Sequence, residues 1–351
     1  MKKSLVALAV LAASGAAMAQ SSVTLFGIVD AGVTYAKTSG GESNYGLTNS
    51  GNATSRLGFR GVEDLGGGLK AGFWLEGAIQ NDSGTASGGG AAGPGFEFKR
   101  RSTVSLIGNF GEVRLGRELT SAYNVVSGYD VFGQVGIGQN FSFGNGTYGF
   151  GDPVRVGNMV SYYTPNISGF TAGVNYGFGE TAGDSSAKRY VGVTAAYNNG
   201  PLSAGIGFDQ QNDPTTSYEK AQSLGLGAAY NFGAFKLSGL IRQVQSTPVG
   251  GGSKAKFQSA GLGATAAVGA AGEARLAYNY YDNKEIEGKA HQLSLGYVHN
   301  LSKRTALYGT YAFLKNQKSE TMSLSANGLG IDPARAGKNQ NAITVGVRHA
   351  F

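Results

Sequence analysis

Apolar and polar residues alternate along much of the chain with a period of two. In the segment 343–351 the odd positions are Ile, Val, Val, His and Phe, whereas the even positions are Thr, Gly, Arg and Ala. Segments 69–76 and 224–232 also alternate between an apolar face and a face that is mostly small or polar. Successive side chains of a strand point to opposite faces, so this pattern predicts β-strands with two unlike faces.

Turn-forming residues divide the chain into strands whose connections are alternately short and long. Short turns that carry Gly, Pro, Asn or Asp are predicted at 63–68, 109–111, 165–169, 198–201, 231–234, 268–272 and 300–303. Longer polar or Gly-rich connections are predicted at 38–52, 81–96, 119–154, 179–188, 211–218, 246–254, 282–288 and 316–339. These seven short and eight long connections join sixteen strands.

Aromatic residues mark the ends of the predicted strands. Examples are Tyr35, Phe178, Tyr197, Phe232, Tyr280, Tyr297 and Phe313. Aromatic girdles and an even strand number are typical of bacterial outer-membrane barrels, whereas a soluble β-sandwich needs neither. We therefore predict an all-β fold, a 16-stranded antiparallel transmembrane β-barrel with long external loops. Side chains cannot fill a barrel of this size, so water occupies its interior.

The composition removes several classes of site. The chain has no Cys, which excludes disulfides and thiolate metal ligands, and it has only three His. Its net charge of +7 is not concentrated in the dense basic runs of a nucleic-acid-binding protein. The short motifs of a catalytic serine, a zinc protease and a Walker nucleotide-binding loop are absent from the sequence. We expect no enzyme activity, no metal or other cofactor, and no nucleic acid partner.

Residues 1–19 have the pattern of a secretory signal peptide. A positive start, an apolar core over residues 5–13 and a small-residue cleavage pattern at 17–19 follow one another in order. We predict cleavage after Ala19 and a mature barrel domain of residues 20–351. Loss of two lysines lowers the net charge from +7 to +5.

Five stretches of the sequence resemble the general porins of β-proteobacteria, and most closely their anion-selective members. They are SSVTLFGIVD at 21–30, SRLGFRGVEDLGGGLK at 55–70, FGEVRLGR at 110–117, LSKRTALY at 301–308 and VRHAF at 347–351. The resemblance implies a homotrimer of sixteen-stranded barrels in the bacterial outer membrane. It also implies that the third external loop folds into the pore and constricts it, and here that loop is the long connection 119–154.

Alternation on two early strands identifies charged residues that face the lumen. If the apolar side chains of segments 56–60 and 69–76 face lipid, parity places their charged side chains inside. These are Arg56, Arg60, Lys70 and Glu76. The only tryptophan, Trp74, has the same parity, and we predict no function for it.

The resemblance also assigns residues to the constriction. Transferred to matching positions, they are Arg56, Arg100, Arg155, Glu76 and Asp130. Arg100, however, has the parity of Val104 and Leu106, which look lipid-facing. Either a bulge intervenes or Arg101 is the residue that faces the pore.

Three further positions have more than one interpretation. Asp130 either contributes an acid to the constriction or caps a turn within the loop. Lys315 and Lys318, near the last external connection, either attract anions to the vestibule or are simply solvated. Phe351 ends an apolar face, and the resemblance makes it part of the signal that the barrel insertion machinery reads.

These features together predict a general diffusion porin. Small hydrophilic solutes, with anions preferred, would pass through a water-filled barrel surrounded by outer-membrane lipids and lipopolysaccharide. One alternative is a channel specific for a substrate such as phosphate or an organic anion, since arginine suits phosphate geometry. Another is a barrel that acts mainly as an adhesin or phage receptor, because external loops diverge freely.

Overall fold

A computed structural model of the protein describes residues 22–85, 95–140 and 153–351. The predicted signal peptide, residues 1–19, lies outside the described residues. The described chain forms one antiparallel sheet and one helix, α1 (Ser121–Tyr129). The strands are β1 (Ser22–Thr38), β2 (Ser43–Asn49), β3 (Arg56–Gly66), β4 (Leu69–Ala78), β5 (Arg101–Gly108), β6 (Gly111–Leu119), β7 (Arg155–Tyr163), β8 (Phe170–Gly177), β9 (Tyr190–Asn199), β10 (Leu202–Thr215), β11 (Tyr218–Asn231), β12 (Phe235–Pro248), β13 (Ala255–Val268), β14 (Gly272–Asn283), β15 (Gly288–Asn300), β16 (Thr305–Gln317) and β17 (Asn339–Ala350).

The sheet closes into a barrel because β1 pairs with β17 along one edge. On its other edge β1 pairs with β3 over residues 22–28 and with β2 over residues 31–37. Thus β2 and β3 are two parts of one barrel strand, and the seventeen segments make sixteen barrel strands, as the sequence predicted.

The seven short turns lie where the sequence predicted them, between strands that end and begin within a few residues. The first predicted long loop, 38–52, is wrong, because β1 and β2 are joined by residues 39–42 alone. Residues 43–49 are polar enough to resemble a loop, yet all seven pair with β1 and extend the wall. The predicted loop 211–218 is also mostly strand, since only residues 216 and 217 separate β10 from β11.

The polarity of the wall is the reverse of that in a soluble protein. On β17, Val345 is 55% exposed whereas Thr344 is 2% exposed. The same holds on β13 and β15, where Leu262 faces outward and Ser294 is buried inside. A barrel with an apolar outer face and a polar interior suits a surrounding bilayer. Among the described residues, no helix has the length and apolar character needed to cross a membrane.

In the part of the chain that the structure describes, two connections fold back into the barrel. The inserted loop, residues 120–154 between β6 and β7, carries α1 in its described part. The last connection, residues 318–338 between β16 and β17, buries Met322 and Leu324 against Leu314 of the wall and Ile137 of the inserted loop. These side chains belong to the largest apolar cluster of the described residues, which therefore lies inside the external half of the barrel.

Candidate pore constriction

Helix α1 lies against the inner face of the wall formed by β9 to β12. Glycines form its seat, because a Cβ atom at Gly225 or Gly227 would come within 2.8 or 2.0 Å of the side chains of Val126 and Tyr129. The buried Ala122 and Val126 pack there against Leu240. The small residues of this inner face therefore allow the helix to approach the wall closely.

A wall carboxylate fixes the first turn of α1. Asp209 on β10 accepts hydrogen bonds from the backbone N–H groups of Ser121, at 2.9 Å, and Ala122, at 2.8 Å. The Tyr190 hydroxyl donates to the same carboxylate. In addition, the Asn175 amide donates to the Ser121 hydroxyl at 2.7 Å. The carboxylate satisfies N–H groups that the helix leaves unpaired and faces the positive end of its dipole.

Asp130, at the end of α1, is enclosed by its own loop. Its carboxylate accepts backbone N–H groups of Phe132, Gln134 and Asn140 at 3.1, 2.9 and 3.0 Å, and the Gln134 amide at 2.9 Å. Burial raises the pKa of Asp130, and the donated hydrogen bonds oppose that rise. These bonds match the second interpretation of Asp130, a residue that caps a turn within its own loop. Within the described residues, no hydrogen bond or ion pair joins Asp130 to the predicted constriction arginines.

Three arginines gather around one carboxylate on the opposite wall. Oε1 of Glu76 lies 2.6 Å from Nε of Arg100 and 3.5 Å from Nη1 of Arg56. Nε of Arg155 donates to the backbone carbonyl of Arg100 at 2.8 Å. The Trp74 indole donates to Oε2 of Glu76 at 3.1 Å. We call Arg56, Glu76, Arg100 and Arg155 the arginine cluster.

The inserted loop faces this cluster through Tyr123 of α1. Burial raises the pKa of Tyr123, while the charges of Arg155, Arg100 and Arg56 act in the opposite direction. Helix α1 and the arginine cluster thus face one another across the interior of the barrel.

Arg100 and Arg101 both reach the barrel interior. Arg101 is the first residue of β5 and shares its lumen face with Thr103, whereas Val104 is outward and exposed, as predicted. Arg100 precedes the strand, so the alternation of β5 does not govern its direction. It bonds to Glu76, while Nε of Arg101 lies 2.9 Å from Oε2 of Glu118.

Arg101 belongs to a second group of charges that sequence reasoning overlooked. Arg114 lies 2.9 Å from Glu112 and 2.7 Å from Glu118, and Glu118 also pairs with Arg101. We call these four residues the lower cluster. Alternation with the outward Leu115 of β6 would have identified Glu112 and Arg114 as lumen residues.

The remaining predicted residues lie in different places. Arg60 is on the lumen face, with its guanidinium carbon 5.0 Å from the Trp74 ring centroid, and Lys70 is exposed beside a short turn. Lys315 does not share the inner face of its strand, because β16 extends to Gln317 and its alternation turns Lys315 outward, between two buried neighbours.

Two predicted positions lie at the ends of the wall. Lys318 follows β16 directly, and its exposed ammonium lies 3.9 Å from the carboxylate of Glu287 in the neighbouring loop. Phe351 pairs with Gly27 of β1 through two backbone hydrogen bonds of 3.1 Å, and its ring covers that glycine.

Comparison with known proteins agrees with this architecture. The family model of Gram-negative porins matches residues 4–319. The chain is 55% identical to outer membrane porin protein 32 of Delftia acidovorans, and 100% of each chain is covered. An anion-selective porin from Comamonas acidovorans superimposes with a TM-score of 0.85 at 50% identity, covering 95% of this chain and 100% of that one. An outer membrane protein of Vibrio cholerae solved in a trimer form gives a TM-score of 0.66 at 13% identity over 94% and 99% of the two chains, which shows the fold alone.

These comparisons identify a channel rather than an enzyme. The family match spans most of the chain, and the closed barrel leaves a polar interior beside the inserted loop. The chain belongs to the Gram-negative porin family and forms a diffusion channel of the bacterial outer membrane.

Proposed function

We propose that this porin conducts small hydrophilic solutes passively and prefers anions, and that the arginine cluster sets the preference. The observation that carries the proposal is the grouping of three arginines around Glu76, opposite Tyr123 of the inserted loop. Arg56 and Arg100 pair with the carboxylate, and Arg155 donates to the backbone carbonyl of Arg100. Three positive charges and one negative charge give the cluster a net charge of +2.

The size of this field is sufficient to decide the sign of selectivity. A guanidinium stays charged at any working pH. One unit charge 4 Å away favours an anion by about 1 kcal/mol in water and about 4 kcal/mol at the effective dielectric of a protein surface. A net preference of about 1.4 kcal/mol already changes the local population tenfold. The Comamonas relative, which is 50% identical, is itself described as anion-selective, and this supports the proposal.

The test is the reversal potential across a KCl gradient in planar bilayers. We expect anion preference in the wild type, strongest near 0.1 M salt, where the Debye length is about 10 Å. The triple variant Arg56→Ser, Arg100→Ser, Arg155→Ser is expected to lose it. A double variant of Lys303 and Arg304, which are exposed in a short turn, should retain it.

Two results would contradict this assignment. Cation preference in the wild type would show that the field of the lumen has the opposite sign. Unchanged preference in the triple variant would move the selectivity to other positive charges such as Arg60, Arg101 or the loop lysines.

The assembly is proposed to be a homotrimer. This follows from the resemblance to general porins, and it is supported by membership of the family. The constriction would then be repeated in three parallel barrels.

A further inference from the structure

We propose that a second site in the lumen wall binds a small organic monocarboxylate with an apolar body. The site is a cavity of about 360 Å³ beside Arg60, Gly72 and Trp74. Arg60 follows Arg56 by four residues on β3, so the cavity lies roughly 13 Å further toward the short turns, which are periplasmic in barrels of this type. The proposal rests on the proposed function, because the ligand reaches the site as a permeating anion.

The guanidinium of Arg60 is available to a carboxylate. Its central carbon lies 5.0 Å from the Trp74 ring centroid and 5.1 Å from that of Phe26, and the side chain is exposed. Among the described residues no carboxylate forms an ion pair with it, whereas Arg101 and Arg114 are both paired with glutamates. A guanidinium that lies against aromatic rings keeps its N–H edges directed outward, and those edges match a carboxylate.

The cavity also offers apolar surface next to that charge. Val62 is 51% exposed, and Ile107 lies on the opposite side of Gly72. A Cβ atom at Gly72 would be 3.6 Å from its nearest neighbours, Gly61 O and Ile107 Cδ1, which is ordinary contact. The glycine is therefore not required by crowding, and its missing side chain leaves room for part of a ligand.

The local charge favours a monoanion over a dianion. Arg60, with the two arginines and two glutamates of the lower cluster, carries a net charge of +1. Glu112 lines the same cavity and would repel a second carboxylate. A small inorganic anion would satisfy Arg60 but would leave the apolar surface in water.

The binding test uses the full-length porin and the fluorescence of Trp74, the only tryptophan in the sequence. Benzoate is titrated as the probe, with acetate and succinate as anions that lack the apolar body or carry a second carboxylate. We expect benzoate to change the fluorescence at a concentration about tenfold below that of either control. All three probes can bond to Arg60, but only benzoate also buries an apolar body, which contributes at least that factor, and Glu112 repels the second carboxylate of succinate.

Two variants separate the contribution of the cavity to benzoate binding from that of the positive charge. Gly72→Val fills the cavity without altering any charge, and Arg60→Gln removes the charge without filling the cavity. Each is expected to raise the half-saturating benzoate concentration about tenfold. Gly72→Ala, which the spacing accommodates, provides a milder change if the valine variant assembles poorly. Equal benzoate responses in the wild type and in the assembled Gly72 variant would overturn the site, as would equal responses to acetate and benzoate.

Measuring the KCl reversal potential as well distinguishes failure of the benzoate site from failure of the proposed anion selectivity. Gly72→Val is expected to leave the reversal potential unchanged, because the arginine cluster is intact. Anion preference without a benzoate response in the wild type would exclude only the second site. Cation preference would exclude the proposed function, while the fluorescence titration would still report on the cavity.

Discussion

At the scale of single residues, Glu76 is the point at which the electrostatics of the pore are adjusted. It is 6% exposed, accepts hydrogen bonds from Arg100 and the Trp74 indole, and forms an ion pair with Arg56. One carboxylate therefore both orients guanidinium groups and cancels part of their field. These two effects act in opposite directions on anion selectivity.

Glu76→Gln tests which effect is larger. The amide keeps an acceptor oxygen for Arg100, while the net charge of the arginine cluster rises by one. We expect a stronger anion preference, by roughly fivefold, for about 1 kcal/mol of added attraction. The measurement is the reversal potential near 0.1 M KCl, with Glu273→Gln, a carboxylate paired with Arg275 near a short turn, as the control. A weaker preference would mean that orientation of the arginines matters more than the cancelled charge.

Parity predicted many of these residues but not their partners. Alternation is a local property, so the sequence alone is enough to predict which face of β3 and β4 carries Arg56, Glu76 and Arg60. It did not decide Arg100, which lies before its strand and bends toward Glu76. The enclosed position of Asp130 depends on residues as distant as Asn140, and such contacts leave no periodic pattern.

At the scale of elements, the constriction depends on how α1 is held. Its glycine seat and its carboxylate anchor come from β10 and β11, about ninety residues later in the chain. The family resemblance therefore implied an inserted loop, but the sequence did not reveal the contacts of that loop. The same limit applies to β2, whose polar residues resembled a loop until their pairing with β1 was known.

The anchor of α1 can be tested with Asp209→Ala. The change removes the acceptor for the N–H groups of Ser121 and Ala122, and loss of such a cap costs about 1–2 kcal/mol. We expect larger fluctuations of the single-channel current with the sign of selectivity unchanged, because the arginines stay on the opposite wall. Ser127→Ala, on the exposed face of the same helix, should leave the current fluctuations at the wild-type level. If the current of the Asp209→Ala channel fluctuates no more than that of the wild type, packing against the glycines of β11 alone is sufficient to hold the helix.

At the scale of the whole molecule, the barrel is a closed sheet whose first and last strands pair with each other. The outer face is apolar, whereas the largest cluster of buried apolar side chains in the described chain lies where the last connection meets the inserted loop. The wall is therefore stabilised by the surrounding membrane, whereas the two inserted connections are stabilised by the apolar cluster inside the external half of the barrel. The wall depends on the pairing of β1 with β17, which joins the first and last strands of the described chain.

Deletion of Phe351 tests that closure together with the proposed trimer. The residue follows β17 directly, exchanges two backbone hydrogen bonds with Gly27 and covers it with its ring. The deletion removes these contacts and the terminal aromatic that the family resemblance links to the insertion machinery. We expect a large loss of protein that migrates as a trimer in unheated detergent gels, with secretion into the periplasm unchanged. Phe351→Tyr keeps an aromatic ring at the same position and is expected to assemble normally. Full assembly of the deletion variant would show that the terminal residue is dispensable, and a wild type that is monomeric by native mass spectrometry would refute the trimer.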